Sequence, residues 1–195
     1  LYDLTGYLSM SYIKEALTTL VTNNKNTPAI ICSCLLISVG LGIKSGMFPF
    51  YFWMPDAYGE STTTSASIVS GVISKGYIIL LIKMIYRTFG WDTINSLKLT
   101  GVYLIVGTLG MIFGSLSAIR QGKINRMISF SSAAQIGYIY MGIGLGPAGI
   151  VGAIIQILCH ACTKPLLFVS SNRLISVSNG DARFKFLKGS GKKDI

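Results

Sequence analysis

Long apolar stretches, separated by short polar segments, set the hydrophobic and polar pattern of this chain. A bilayer core is about 30 Å thick and takes about 20 mostly apolar residues per helix. Five stretches satisfy that length: 28–53, 62–86, 99–119, 127–146 and 148–172. The pattern therefore predicts an all-α integral membrane protein with about five transmembrane helices, which occupy residues 28–175.

The first 27 residues have a different pattern. Residues 1–6 look like the end of a helix, and the helix that follows places three apolar residues on one face: Ile13, Leu17 and Leu20. One apolar face on a polar helix is typical of a segment that lies on the membrane surface. We therefore expect residues 1–27 to hold a helix end and an interfacial amphipathic segment. Because the chain has no initiator Met, we interpret it as an internal fragment.

Composition and charge agree with a membrane location. Hydrophobic residues make up 51% of the 195 residues and charged residues only 12%, with a mean hydropathy of +0.58, which excludes an ordinary soluble domain. The net charge of +10 comes from Lys and Arg that fall mostly in loops. Such a distribution needs no nucleic-acid partner, since cations beside spans face anionic lipid.

The loops divide unequally between the two sides of the membrane. If the five helices alternate, the side that contains the C-terminus carries nine cations: Arg120, Lys123, Arg126, Arg173, Arg183, Lys185, Lys188, Lys192 and Lys193. The opposite side carries four: Lys14, Lys25, Arg87 and Lys98. The positive-inside rule then places the C-terminus, with a basic loop at 176–195, in the cytoplasm.

Three lysines lie within the apolar stretches, at Lys44, Lys75 and Lys164. A lysine at the centre of a membrane helix costs about 2.5 to 3.5 kcal/mol on insertion scales, so it usually marks an ion path, a proton relay or a counter-ion. Lys75 is too deep to reach the surface easily. Lys44 lies five residues before Pro49, where the helix is expected to break. The alternative for Lys44 is that its helix ends there and its amine reaches the interface.

A polar line runs along the last predicted helix. Gln156, His160 and Lys164 recur every four residues, which stacks them on one helical face. Histidine titrates near neutral pH, so His160 beside Lys164 suits proton exchange. The alternative for His160 is that it caps a carbonyl of a neighbouring helix. Pro165 directly after the lysine predicts a local distortion.

Other chemistry finds little support in the sequence. Cys159, His160 and Cys162 lack a second ligand pair at zinc spacing and do not form a haem-attachment motif. The 22 glycines form no nucleotide-binding fingerprint and suit close helix packing instead. We therefore expect no metal, no cofactor and no redox chemistry within this chain.

Four segments, in order along the chain, resemble motifs of one family: the antiporter-like subunits of respiratory complex I, multisubunit cation/proton antiporters and membrane-bound hydrogenases. They are 42–58 (GIKSGMFPFYFWMPDAY), 74–83 (SKGYIILLIK), 123–138 (KINRMISFSSAAQIGY) and 160–168 (HACTKPLLF). The resemblance covers nearly the whole chain. Three features depart from the family pattern: residues 60–65 replace a proline-containing linker, no glutamate partner for Lys44 is present, and the second broken helix expected after the loop at 181–193 is absent.

The resemblance implies a fold of two inverted five-helix repeats, each with one broken helix. It also implies a proton relay through Lys44, Lys75, His160 and Lys164, and neighbouring membrane subunits as partners. Protons would be the species moved, with sodium ions as the alternative, in a multi-pass protein of an energy-coupling membrane, expected to be the cell membrane. The fragment alone is not expected to conduct.

We therefore predict proton translocation as a subunit, or a piece of a subunit, of a redox-driven pump or cation/proton antiporter. Within the family, the alternative is a sodium/proton antiporter subunit without a redox module. A small-molecule transporter that uses Lys44 as a counter-ion, and an inactive structural fragment, are the alternatives from other classes.

Overall fold

The computed structural model describes residues 1–23, 25–178 and 180–189, and nearly all of this part of the chain is helical. The α-helices are α1 Tyr2–Thr5, α2 Met10–Thr22, α3 Thr27–Ser45, α4 Met54–Gly59, α5 Thr63–Ile68, α6 Ser74–Met84, α7 Trp91–Ser96, α8 Leu99–Ile119, α9 Ile124–Gly144, α10 Pro147–Val177 and α11 Phe184–Leu187. A 3-10 helix, Phe50–Trp53, precedes α4. Two π-helical segments, Val69–Ile73 and Ile85–Phe89, extend α5 and α6 into one helical span, Thr63–Phe89.

Each of the five predicted spans coincides with a long helical segment. Four of these segments are long and apolar enough to cross a membrane: Thr27–Gly59, Thr63–Phe89, Leu99–Ile119 and Pro147–Val177. The remaining predicted span, 127–146, corresponds to α9, which has 21 residues but carries several serines and a glutamine. Because α9 packs between α8 and α10 and is buried along much of its length, polar side chains on it can meet protein rather than lipid.

Small residues bring α8 and α9 into close backbone contact. A Cβ atom added to Gly107 would lie 2.3 Å from the backbone nitrogen of Met141, and one added to Gly137 would lie 2.6 Å from that of Met111. Neither distance is compatible with a side chain. Glycine at both positions therefore allows backbone-to-backbone packing, which confirms the expected use of glycine in helix contacts.

The predicted break near Lys44–Pro49 is present. The last turn of α3 closes with a Schellman-type cap, in which Gly46 adopts φ 85° and the Met47 amide bonds to the Gly42 carbonyl at 2.9 Å. The 3-10 helix and α4 follow Pro49. A proline has no amide hydrogen to continue the helix, so the sequence itself determines the interruption.

The apolar face predicted for the N-terminal segment is covered by protein. Ile13 and Leu17 of α2 are buried, and Leu20 packs partly against the same core. Their neighbours are the π-helical segment Ile85–Phe89 and α7. Placement of this segment at the membrane surface stays a prediction, as does the division of the chain into 1–27, 28–175 and 176–195.

The expected distortion at Pro165 does not interrupt α10. The helix continues from Pro147 to Val177 with Pro165 inside it. Proline is tolerated within membrane helices when neighbouring groups satisfy the backbone carbonyls that it leaves free.

Candidate functional site

Lys75 is buried where the π-helical segment meets α6. Its side chain is 3% exposed. The amine donates hydrogen bonds to the Ser70 carbonyl and, at 3.3 Å, to the Ser74 hydroxyl. The Ser74 hydroxyl also donates to the Ser70 carbonyl, at 3.2 Å. A π-helical turn changes the local hydrogen-bond pattern and is frequent at functional sites, and here it supplies the carbonyl that receives the lysine.

Lys164 is buried on α10 and faces α9. Its side chain is 4% exposed. The amine lies 2.5 Å from the Ser131 hydroxyl and 3.4 Å from the Ile128 carbonyl, and both acceptors belong to α9. Two polar groups of α9, a serine hydroxyl and a backbone carbonyl, thus take the place of water around the buried Lys164 amine.

His160 lies one helical turn before Lys164 and is 1% exposed. Neither ring nitrogen has a hydrogen-bond partner among the protein groups that the structure describes. The carbonyl cap that the sequence left open as an alternative is thus not formed. The imidazole is close enough to both Lys75 and Lys164 to interact with their charges, so the three side chains form one group, the buried Lys/His cluster.

The residues of the cluster come from two helices, the Thr63–Phe89 span and α10, which are in close contact. A Cβ atom added to Gly71 would lie 2.6 Å from Cγ of Pro165 and 3.4 Å from the Ala161 carbonyl oxygen. The absence of a side chain at Gly71 therefore lets the π-helical turn rest against the proline. This contact holds the helix of Lys75 against the helix of His160 and Lys164.

No carboxylate accompanies the cluster in the described part of the chain. The described residues include six acidic side chains, and all of them lie outside the buried interior: Asp3, Glu15, Asp56, Glu60, Asp92 and Asp181. Three groups that become cationic on protonation thus share one buried region. Since like charges repel strongly at low dielectric, a proton on one of them disfavours a proton on the next.

Lys44 does not join the buried cluster. Its side chain is exposed at the end of α3, where it lines an open groove of about 320 Å³ with Ile43, Trp53, Val69, Ile73 and Tyr77. The indole nitrogen of Trp53 donates to the Ile43 carbonyl at 3.0 Å and fixes one wall of this groove. The structure thus brings three of the four predicted relay residues together and leaves the fourth on the surface of the described chain.

The polar line on α10 continues beyond the cluster. Gln156 is half-buried, and its amide donates a hydrogen bond to the side chain of Gln135 on α9. Cys159 and Cys162 are exposed while His160 is buried, so these three side chains do not converge. Within the described ranges, no group of three or more His, Cys, Asp or Glu side chains is placed to hold a metal ion.

Sequence reasoning missed the acceptors of the two buried amines. Ser70 lies in the π-helical turn, which no hydrophobic pattern announces. Ser131 was within a segment already noted for its resemblance, and its serine pair in an otherwise apolar helix was the available signal. Apolar periodicity shows which face of a helix is buried but not which polar atoms meet across it.

Comparison with known proteins assigns the family. Residues 1–189 match the family model described as NADH:quinone oxidoreductase/Mrp antiporter, transmembrane. The chain belongs to this family. The assignment confirms the resemblance found in the four sequence motifs, and it establishes an integral membrane protein with an all-α antiporter-like fold.

Relatives in the family include subunits of different complexes. The chain is 32% identical over 195 residues to NADH-quinone oxidoreductase subunit N of Desulforudis audaxviator, which covers 99% of the chain and 38% of the relative. It is 30% identical over 170 residues to a Na(+)/H(+) antiporter subunit of Alkalihalophilus pseudofirmus, which covers 87% of the chain and 33% of the relative. The chain thus spans less than two fifths of the length of these two relatives.

A solved structure contains the same fold over part of its length. The chain superimposes on a subunit of the membrane-bound sulfane sulfur reductase, an archaeal respiratory membrane complex, with a TM-score of 0.78 and 26% identity. The match covers 95% of this chain and 37% of the other. These similar proteins are subunits of multisubunit membrane complexes.

Proposed function

We propose that the buried Lys/His cluster carries protons across part of the membrane, as a segment of an ion-translocating subunit. The observation that carries the proposal is the burial of Lys75, His160 and Lys164 in one electrostatically interacting group without a buried carboxylate in the described chain. Two buried amines lower the stability of the fold, so a purely structural role does not explain them. Their cost is understandable if each amine alternates between its charged and neutral forms.

The arrangement favours transfer of one proton at a time. A proton that enters at Lys75 or Lys164 raises the energy of a second proton on the cluster, so arrival at one end promotes departure from the other. His160 is close enough to both lysines to feel their charges, and it offers two ring nitrogens that no described protein group occupies. Water molecules would complete the connections, since direct transfer requires donor and acceptor about 3 Å apart.

The proposed ion path extends beyond this chain. Neighbouring membrane subunits would supply the remaining half of the ion path and the energy that drives it, as the multisubunit relatives suggest. Lys44 is exposed on the surface of the described chain and would join the relay through a contact with such a neighbour. Protons are the proposed cargo, with sodium ions as the alternative. The cell membrane and a cytoplasmic C-terminus are the proposed location and orientation, from the distribution of Lys and Arg.

A matched pair of lysine variants tests the proposal in the full-length protein within its native complex. Lys75 and Lys83 belong to the same helix, but Lys75 is buried and Lys83 is exposed. Proton uptake into proteoliposomes is measured with a pH-sensitive dye for Lys75→Ala and Lys83→Ala. We expect Lys75→Ala to lose at least 90% of uptake and Lys83→Ala to retain most of it. Equal uptake in Lys75→Ala and the wild type would contradict the proposal.

A further inference from the structure

Two loops at one end of the helix bundle are joined by backbone hydrogen bonds. The Ile124 amide donates to the Ala182 carbonyl at 3.0 Å, and the Phe184 amide donates to the Gly122 carbonyl at 3.1 Å. Lys123 and Arg183 form the antiparallel bridge between these bonds. The α8–α9 connection and the segment after α10 therefore form one surface rather than two independent loops.

This surface is strongly basic. Six cations lie in residues 120–126 and 181–188, a set that we call the basic patch: Arg120, Lys123, Arg126, Arg183, Lys185 and Lys188. The same two segments contain one carboxylate, Asp181. All six cations except the half-buried Arg126 are exposed, so most of their charge is available to an external anion.

The carboxylates nearest the basic patch are already engaged. Arg183 binds Asp181 with an Nη2 to Oδ2 distance of 2.6 Å, and Arg126 binds Asp56 at 2.8 Å. The hydrogen bonds from Arg183 lower the pKa of Asp181 to about 2, so this carboxylate stays ionised and paired at neutral pH. The four remaining cations of the patch, Arg120, Lys123, Lys185 and Lys188, form no ion pair within 4 Å with either carboxylate, although the charge of Lys123 also helps to lower the pKa of Asp181.

Two recesses open between the joined loops. One has a volume of about 550 Å³ and is lined by residues 180–183 and Lys123. The other has a volume of about 450 Å³ and is lined by residues 121–123 and 183–185 together with Arg126. Lys123 and Arg183 line both recesses. Each recess is large enough for a phosphate group between basic side chains.

Apolar side chains are exposed beside these charges. Phe184 is 41% exposed, Phe186 is 50% exposed and Ile119, the last residue of α8, is 81% exposed. The Arg183 guanidinium lies over the Phe186 ring, 4.6 Å from its centroid. The patch sits where α8 and α10 end and α9 begins, which is the level of the lipid headgroups if these helices cross the bilayer.

We propose that the basic patch binds the phosphate headgroup of an anionic phospholipid in the adjoining leaflet. Lys123 and Lys185 contact the phosphate from the two joined loops, while Phe184 and Phe186 lie against the upper part of the acyl chains. A soluble acidic partner would account for the cations but not for exposed aromatic and aliphatic side chains at the ends of membrane helices. Basic groups together with interfacial aromatic groups are what a membrane surface favours. This site is separate from the buried Lys/His cluster and does not depend on the proposed transport.

Lipid binding by the full-length protein, purified in detergent and stripped of lipid, tests the proposal. Short-chain phosphatidylglycerol and phosphatidylcholine with identical acyl chains are titrated, and bound lipid is counted by native mass spectrometry. The test variant is Lys123→Gln/Lys185→Gln, which leaves the Arg183 to Asp181 pair and the backbone bridge in place. The control is Lys25→Gln/Lys98→Gln, which removes two exposed lysines from the opposite side.

We expect phosphatidylglycerol to bind at least tenfold more tightly than phosphatidylcholine. The Lys123→Gln/Lys185→Gln variant should lose about tenfold in affinity for phosphatidylglycerol, while the control should match the wild type. Equal affinities for the two lipids would overturn the proposal, as would a test variant that binds like the wild type. Full displacement of the lipid by millimolar inorganic phosphate would also overturn it, because the patch would then be a site for free anions. An unchanged melting temperature of the test variant shows that its loss of lipid is not a loss of fold.

Discussion

The Lys164 amine of α10 donates a hydrogen bond of 2.5 Å to the Ser131 hydroxyl of α9. This bond joins two helices that the sequence separates by 33 residues, and it places a neutral acceptor beside a buried cation. A carboxylate in the same position would hold the ammonium as a permanent ion pair. A hydroxyl stabilises the charged form less strongly, and it can also donate to the neutral amine.

Replacement of Ser131 by Ala should therefore impair translocation. A hydrogen bond to a charged group contributes about 1.5 to 3 kcal/mol, so we expect about a ten- to hundredfold fall in the rate of proton uptake if protonation of Lys164 limits the rate. Ser132→Ala is the matched control, because Ser132 is buried but bonds only to the Ile128 carbonyl of its own helix. Uptake in proteoliposomes measures both variants. A Ser131→Ala protein as active as Ser132→Ala would show that this bond has no part in transport.

Replacement of Gly71 by Ala should push the helix of Lys75 away from α10. The added methyl group meets the rigid Pro165 ring, and overpacking of this kind costs about 1 to 3 kcal/mol. We expect a lower melting temperature for the full-length protein and a reduced rate of proton uptake. Gly76→Ala is the control, since Gly76 lies on the same span with nothing within 4 Å of the added Cβ. Equal melting temperatures for the two variants would contradict the close packing at Gly71.

The contact between Asp181 and Arg183 should be insensitive to pH over the physiological range. The hydrogen bonds from Arg183 lower the pKa of Asp181 from its ordinary value of 3.8 to about 2. A lowered carboxyl pKa in the folded state contributes stability that is present above the ordinary pKa and is lost as pH falls through the folded value. We therefore expect the contact to hold from about pH 4 to 8 and to weaken only toward about pH 2.

Carbon NMR of the Asp181 carboxylate follows this titration, with Arg183→Gln as the comparison. The variant should titrate at a higher pH than the wild type, because the guanidinium donors to the carboxylate are gone, while the backbone amide of residue 183 still donates to it. A wild-type carboxylate that titrates at the same pH as the variant would show that the pair does not form in solution.

The main features of the fold followed from the sequence because membrane helices are determined by local composition. The ends of the five predicted spans lie within six residues of the ends of helical segments, and Pro49 marked the break after α3. Its serines and Gln135 make α9 less apolar than the four other long helical segments. Contacts with α8 and α10 allow these polar residues to be buried in protein. The sequence of α9 alone does not predict those contacts.

The site was predictable in part for a similar reason. Lys75, His160 and Lys164 stood out because charge is rare within apolar stretches, and the structure brings them together. Lys44 satisfied the same rule but lies on the surface of the described chain, since burial depends on which helices are adjacent. The acceptors Ser70 and Ser131 could not be assigned, because one depends on a π-helical turn and the other on the register between α9 and α10.

The central claim is that Lys75 and Lys164 act in one serial proton path, and a double-mutant comparison tests it most directly. Proton uptake is measured for Lys75→Ala, Lys164→Ala and the combined variant in the native complex. Members of one path are strongly non-additive, so each single variant should fall to the background rate and the double variant should be no slower. Single variants that each keep a substantial rate, with losses that multiply in the double variant, would contradict the account.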